Sequence, residues 1–303
     1  MRSIYIKLCG SFGVEIVYDE MLNDAVELFC SGFEHCTLEQ CSYTVSLLLT
    51  AEKTHAGFIE RNVINEEYFC SLCHSRAQYC KKTKSAYIYI SWLDLIGSSG
   101  KRNYNMVLFL LTETLTRMLF EQGFCAYHGS AIAKNGKAIV FVGESGSGKT
   151  TLSLLLAQKG FQYLGDDRVF IKNGEVFSYP KPIHLSYDVQ KFFVQDSTTI
   201  KTKGKQFVPF NTCLNQETTP EKAEILCFFL LSPTEEKQTE IQVKRKTGVL
   251  YGLNSLFYSD VELPLLLDSI LDLGELSMHT INNYHTSAQV DMLSEKINKM
   301  LCE

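Results

Sequence analysis

Residues 143–150 read Gly-Glu-Ser-Gly-Ser-Gly-Lys-Thr, the spacing G-x-x-x-x-G-K-[ST]. Each residue type has a chemical reason to stand where it does. Gly146 and Gly148 let the backbone curl until its N–H groups converge on phosphate oxygens. A helix that begins at the end of the loop turns its positive end toward the same anion. Lys149 brings a point charge to β- and γ-phosphates, and the hydroxyl of Thr150 is suited to Mg²⁺. Gly143, Glu144, Ser145, Ser147 and Thr151 complete the expected nucleotide-binding segment. The flanks agree with it. Residues 138–142 are a short apolar run of the kind a buried strand shows. Leu152, Leu155 and Leu156 follow at helical spacing, and Gly160 sits where a helix would end. Strand, glycine-rich loop and helix form the context in which the motif binds phosphate.

Two further segments point at the same place. Asn135-Gly136 is a two-residue hairpin turn between Lys134 and Lys137. Its register, carried back along both strands, sets His128 opposite Gly143. An imidazole there could tune a base or stabilise charge near a γ-phosphate. Downstream, residues 161–165 read as a short strand that runs into Asp166 and Asp167. Open α/β sheets bind ligands at the carboxyl ends of their strands, so the loop and the acidic pair are expected on one edge. One carboxylate can hold Mg²⁺ while the other accepts the proton of an attacking hydroxyl. A second hairpin at Asn173-Gly174 puts Arg168 opposite Tyr179. Residues 179–184 then return toward the active edge in extended form. Lys181 and His184 could touch phosphate or substrate there, or belong to a solvated loop.

The run Tyr127-His128-Gly129-Ser130-Ala131, the phosphate loop, Gly160 and Gly165-Asp166-Asp167-Arg168-Val169 together resemble the catalytic core of HPr kinase/phosphorylase. The likeness is closer to the HPr-kinase-like proteins, which include kinases of peptide biosynthesis. It covers residues 123–185 and, loosely, 275–301; it does not reach residues 1–103. The resemblance implies an α/β, phosphoenolpyruvate carboxykinase-like P-loop kinase domain with a mixed sheet. It implies ATP and Mg²⁺; pyrophosphate is another possible donor, because the loop reads phosphates and no adenine-binding residue is identifiable. Lys149 and Thr150 would bind phosphate and metal. Asp166 would be the base on the acceptor hydroxyl, with His128 paired to it, and Asp167 would position the metal or the loop; the two aspartates could exchange roles. The downstream glycine-rich signature with Glu and Arg is missing after Tyr179, and Glu175 and Arg245 match it poorly. That departure favours the divergent branch, whose acceptor is a Ser or Thr of a peptide or protein, or a small-molecule hydroxyl. A nucleotide-binding regulatory module without phosphoryl transfer is the competing class. It needs Lys149 and Thr150 but not His128 with Asp166. Oligomer formation is implied by the resemblance alone.

These residues need a scaffold, and 303 residues suggest two domains or one large one. With 45% hydrophobic and 21% charged residues, the composition is that of a globular chain and not of a disordered one. A net charge of -5 lacks the basic footprint of a nucleic-acid binder. No apolar run approaches the roughly 18 residues of a membrane span, and no secretory signal opens the chain. A cytoplasmic protein with neither nucleic acid nor membrane as partner is expected. Eleven cysteines without such a signal read as reduced thiols. Cys70-Ser71-Leu72-Cys73-His74 has the pattern of a haem attachment site or half a zinc site, but the second zinc half is missing. Tyr68, Cys70 and Leu72 also alternate as one face of a strand. The loop Gly97-Ser98-Ser99-Gly100 suggests a boundary, giving a smaller α+β domain at 1–103 and the kinase-like domain at 104–303. Strands are expected at 5–18, 43–50, 86–92 and 275–282. Helices are expected at 104–122, 151–158, 262–273 and 287–301. The first of these would bury Met106, Phe109, Leu110 and Leu115 and end at Gly123.

Overall fold

Residues 5–18 read as one strand, but two consecutive left-handed residues, Cys9 at φ 47° and Gly10 at φ 62°, fold them back on themselves. In the computed structural model they form most of a hairpin, β1 (Arg2–Leu8) and β2 (Phe12–Tyr18), with Leu8 opposite Phe12. The structure describes residues 1–52, 56–64, 67–96, 100, 102–186, 189, 193, 200–201, 205–210, 214, 220–232, 241–244, 276–281 and 286–302. Its chain contacts divide it into two units. The first comprises Met1–Gln122, Lys181–Lys191 and Asp196–Phe210; the second comprises Gly123–Pro180, Phe192–Gln195 and Asn211–Glu303.

In the first unit the hairpin leads into α1 (Asn23–Cys30), then β3 (Cys41–Thr50), β4 (Ala56–Ile64), β5 (Glu67–Cys73), β6 (Ser75–Cys80), β7 (Ser85–Ser91), α2 (Trp92–Leu95) and α3 (Asn105–Glu121). The strands lie in the order β1-β2-β3-β7-β6-β5-β4. The β2–β3 and β3–β7 pairs are parallel and the others antiparallel, so the sheet is mixed. Cys73, at φ 55°, and His74 form the turn between β5 and β6, where Leu72 faces Ser75. Cys70 is buried in β5 while Cys73 is exposed. The Cys-x-x-Cys-His pattern is thus a strand and its turn. Among the described residues no group of three or more His, Cys, Asp or Glu is placed to hold a metal.

Helix α3 differs from its expected stripe and its expected domain. Leu110 and Leu115 are buried, but Met106 and Phe109 are only half-buried, and Val107, Leu108, Leu111, Met118 and Leu119 are buried instead. The helix packs on β5, β6 and β7. Those contacts assign it to the first unit, so the division falls at Gln122/Gly123 and not at 103/104. Gly123 supplies the left-handed residue after the helix, at φ +80°. The reason for the assignment is partly polar. Glu113 is buried and receives two parallel bonds from Arg61 of β4, Nε to Oε2 and Nη2 to Oε1, both 2.9 Å. The Tyr68 hydroxyl adds a third at 3.2 Å. Two turns on, Tyr79 donates to Glu121 at 2.9 Å.

The second unit contains β8 (Cys125–Tyr127), β9 (Gly129–Lys134), β10 (Lys137–Gly143), α4 (Lys149–Ala157), β11 (Gln162–Asp166), β12 (Val169–Lys172) and β13 (Glu175–Phe177). The chain then contributes a three-stranded antiparallel sheet to the first unit, β14 (Ile183–Ser186), β15 (Ile200–Lys201) and β16 (Lys205–Val208). It returns with β17 (Lys222–Leu231), β18 (Ile241–Lys244), β19 (Ser277–Ile281) and the C-terminal helix α5 (Ser287–Cys302). The nine-stranded sheet runs β11-β9-β10-β17-β13-β12-β8, with β19 on the second half of β17 and β18 on β19. Both hairpin registers are as the Asn-Gly turns dictate. Lys134 faces Lys137 and the ladder continues to Gly129 opposite Val142; Lys172 faces Glu175 and the ladder continues to Phe170 opposite Phe177. Asn135, Gly136, Asn173 and Gly174 all have positive φ, which matches the twist of the strands they join. Residues Tyr127, Ala131, Val140, Val142, Val169 and Phe228 share one core. The helix expected at 262–273, like Arg245, lies outside the described residues. Among the described residues no helix is long and apolar enough to cross a membrane.

Replacing Glu113 by Ala removes one partner of an ion pair whose carboxylate side is 4% exposed and whose guanidinium side is 37% exposed. A loss of about 1–3 kcal/mol in unfolding free energy, seen as a lower urea midpoint, is expected once the solvent around Arg61 is allowed for. Circular dichroism in urea would detect it, and an unchanged midpoint would show that the pair adds nothing.

Candidate functional site

The glycine-rich segment leaves β10 at Gly143, where φ is +151°. A Cβ there would lie 2.8 Å from the Leu231 carbonyl oxygen and 2.9 Å from Ser147 Oγ, so no side chain fits. The crowding follows from the sheet. β17 runs parallel to β10 and sets Leu231 beside Gly143. Gly146 (φ +84°) and Gly148 (φ +88°) then turn the chain through left-handed conformations into α4. The loop therefore ends at a helix N-terminus, with the donors and dipole that favour an anion.

Lys149 opens that helix and is buried. Its Nζ donates to the carbonyl oxygens of Gly143 at 2.8 Å and Glu144 at 2.9 Å, which folds the side chain back over the loop. Burial pushes its pKa down, against the opposing pull of the Asp166 and Asp167 carboxylates. Thr150 Oγ1 donates to Asp166 Oδ1 at 2.8 Å. This contact joins the loop to the acidic pair. It exists because β11 pairs antiparallel with β9, which pairs antiparallel with β10. β11 and β10 therefore run the same way, and both carboxyl ends face one edge. Ser130 of β9 and Ser153 of α4 share a buried hydrogen bond of 2.7 Å that braces the helix against the strand.

The second aspartate is held differently. The Arg168 N–H donates to the Asp166 carbonyl oxygen at 2.7 Å, closing a three-residue turn around Asp167 at φ 65°. A tight turn with positive φ at a non-glycine centre is rare and strained. Asp167 is half-exposed, whereas Asp166 is buried. His128 Nδ1 lies 3.3 Å from the Asp167 carbonyl oxygen and 3.5 Å from its Oδ1. Both neighbours are acceptors, so the tautomer these contacts favour carries its proton on Nδ1.

The expected residues thus fall into two subsets. Lys149, Thr150 and Asp166 are linked through the loop, and His128 stands beside Asp167. The two His128 distances above run to Asp167, whereas the resemblance implies a pairing with Asp166. The reason is the turn, which keeps Asp166 in the strand under Thr150 and swings Asp167 out toward the start of β9. His128 itself is one residue beyond the end of the β9–β10 ladder. His184 stacks on Phe207 of the small sheet, with ring centroids 4.4 Å apart and planes 5° from parallel. Three contributions escaped the sequence reading. Gly129 is needed because a Cβ would meet the Phe141 carbonyl oxygen at 2.6 Å, and Ser130 and Ser153 brace α4. The Gly129-Ser130 pair was visible after His128, but nothing local shows what it packs against.

Comparison with known proteins adds little. No family profile and no curated protein matches the chain. The structure of the Hpr(Ser) kinase/phosphatase from Coxiella burnetii is similar over 57% of this chain and 94% of that one, at 12% identity and a TM-score of 0.31. A likeness of that extent assigns no chemistry.

If the turn at Asp167 stores strain, Asp167→Gly should leave stability unchanged or raise it by up to about 1 kcal/mol, the entropy of the added glycine offsetting part of the relief. Thermal unfolding measures this. A clear loss of stability would mean that the carboxylate stabilises the turn and the strain is absent.

Proposed function

We propose that the second unit binds Mg²⁺ with a nucleoside triphosphate and transfers the terminal phosphoryl group to a hydroxyl, most readily a Ser or Thr of a peptide or protein. The observation that carries this reading is the 2.8 Å bond from Thr150 to Asp166, beside Lys149 at a helix N-terminus. A loop that only turned the chain would not need a buried lysine and a buried carboxylate converging on it. The chain order of His128-Gly129, hairpin, loop, helix and acidic pair supports a phosphoenolpyruvate carboxykinase-like P-loop kinase fold.

The residues present fit a magnesium ion. Mg²⁺ is usually held by one or two protein oxygens, with phosphate and water completing the shell. A hydroxyl and a carboxylate oxygen in mutual contact supply such a pair, both hard donors. When bound, Mg²⁺ would neutralise charge on the β- and γ-phosphates. The loop N–H groups and the start of α4 would orient the phosphate chain, and Lys149 would exchange its carbonyl partners for phosphate oxygens. The geometry favours exchanged roles for the aspartates. Asp166, bonded to Thr150, would hold the metal, while Asp167, half-exposed, would accept the proton of an incoming hydroxyl. His128 would then orient the Asp167 carboxylate through Nδ1–H. A closed-pocket small-molecule acceptor would use the same groups.

Mass spectrometry of products after incubation with Mg²⁺ and ATP, or pyrophosphate, tests the proposal against a pool of Ser/Thr peptides and hydroxyl-bearing metabolites. Lys149→Ala should abolish nucleotide binding or turnover. Asp167→Asn should lower transfer by about 10²–10⁴-fold while Mg²⁺-ATP affinity is kept. Asp166→Asn should weaken Mg²⁺-dependent binding in calorimetry. If Asp166→Asn binds normally and loses only turnover, Asp166 is the base after all. Tight ATP binding with no phosphorylated product in any pool would turn the assignment to a regulatory module.

A further inference from the structure

Two thiols of the first unit stand within reach of each other. Cys36 Sγ and Cys41 Sγ are 3.8 Å apart, both partly buried. The approach is built by the surrounding chain. Cys36 lies in a segment that closes the outer edge of β1: Lys7 N–H donates to the Glu34 carbonyl oxygen at 2.7 Å, and Cys36 N–H to that of Tyr5 at 3.2 Å. The chain then turns through Thr37, whose N–H donates to the Gln40 side chain at 2.9 Å. Cys41 begins β3 opposite Gly13 of β2. At Gly13 a Cβ would meet Cys36 Sγ at 3.0 Å and the Gln40 carbonyl oxygen at 2.5 Å. The missing side chain therefore makes the room in which the Cys36 sulfur sits, next to Cys41. A disulfide bond is about 2 Å long, so bond formation draws the two sulfurs closer together.

We propose that Cys36 and Cys41 form a reversible dithiol–disulfide site that reacts with small-molecule disulfides and, when oxidised, ties the cover of the β1 edge to β3. Cys36 attacks first. Its thiolate forms a bond to one sulfur of the small disulfide, whose S–S bond breaks, and one small thiolate leaves and takes up a proton. Cys41 then loses its proton and attacks Cys36 Sγ; the mixed disulfide breaks and the second small thiol leaves. Two protein thiols are oxidised to one disulfide and one small disulfide is reduced to two thiols. The order fits the surroundings of Cys41, whose Sγ donates to the Thr37 carbonyl oxygen at 3.5 Å and whose thiol is pushed up by burial. Cys41 therefore resolves and does not initiate.

The test uses the full chain with glutathione disulfide, blocking of remaining thiols, and digestion after glutamate without reduction. Cleavage at Glu34, Glu39 and Glu52 separates peptide 35–39 from peptide 40–52. The expected result is that the two peptides stay joined, about 2 Da lighter than their sum, and part on reduction. Cys41→Ser should stop at a glutathione adduct on peptide 35–39, and Cys36→Ser should leave Cys41 unmodified. Separate peptides with both thiols blocked, while exposed Cys73 takes up glutathione, would overturn the proposal. An adduct on Cys41 in Cys36→Ser would overturn the order of attack.

Discussion

The candidate site depends on the backbone turning out of β10 at a point where no side chain can stand. At Gly143 the neighbouring strand presses the Leu231 carbonyl against the space a Cβ would take, and Ser147 fills it from the other side. Because the exit is so narrow, the loop curls at once, through Gly146 and Gly148, and α4 starts over the sheet edge. Lys149 and Thr150 then face that edge rather than solvent. The same restriction recurs one strand away. Gly129 lets β9 approach the Phe141 carbonyl closely, and this brings His128 to the edge as well. Close backbone packing, more than any side-chain contact, assembles the site.

Electrostatics explains why the two adjacent aspartates are not equivalent. Side by side and equally buried, two carboxylates would repel each other at a cost that only a cation could offset. The three-residue turn at Asp167 separates their environments. Asp166 keeps its strand position and a hydroxyl donor, and Asp167 is carried toward water and an imidazole. Strain at the turn is the structural cost of that separation. Lys149 shows the same balance, with burial disfavouring its charge and the nearby carboxylates favouring it.

The first unit uses buried polarity for a different end. Glu113 and Glu121 on α3 would be unfavourable under a sheet without partners. Arg61, Tyr68 and Tyr79 supply them from β4, β5 and β6. Directional bonds of this sort set the register of the helix on the strands more narrowly than apolar contact does. They also explain why α3, which precedes β8 in sequence, belongs to the other unit.

What the sequence determined by itself was local. Two Asn-Gly turns specify their hairpins, because only residues that accept positive φ allow a two-residue turn with the twist of the strands. Glycine spacing, an apolar run and a helical stripe specify strand, loop and helix around Lys149. The turn at Cys9-Gly10 escaped because the β-branched and aromatic residues that flank it, at 4–6 and 12–18, read together as one strand across Lys7 to Ser11. Tertiary structure decided the rest. Which aspartate meets Thr150 and which meets His128 depends on a turn of three residues and on strand order. The place of α3 depends on carboxylates whose partners lie 42 to 52 residues earlier. The nearness of Cys36 to Cys41 depends on a glycine in a different strand. Each of these rests on contacts between segments far apart in the chain, and periodicity and turn chemistry carry no information about such contacts.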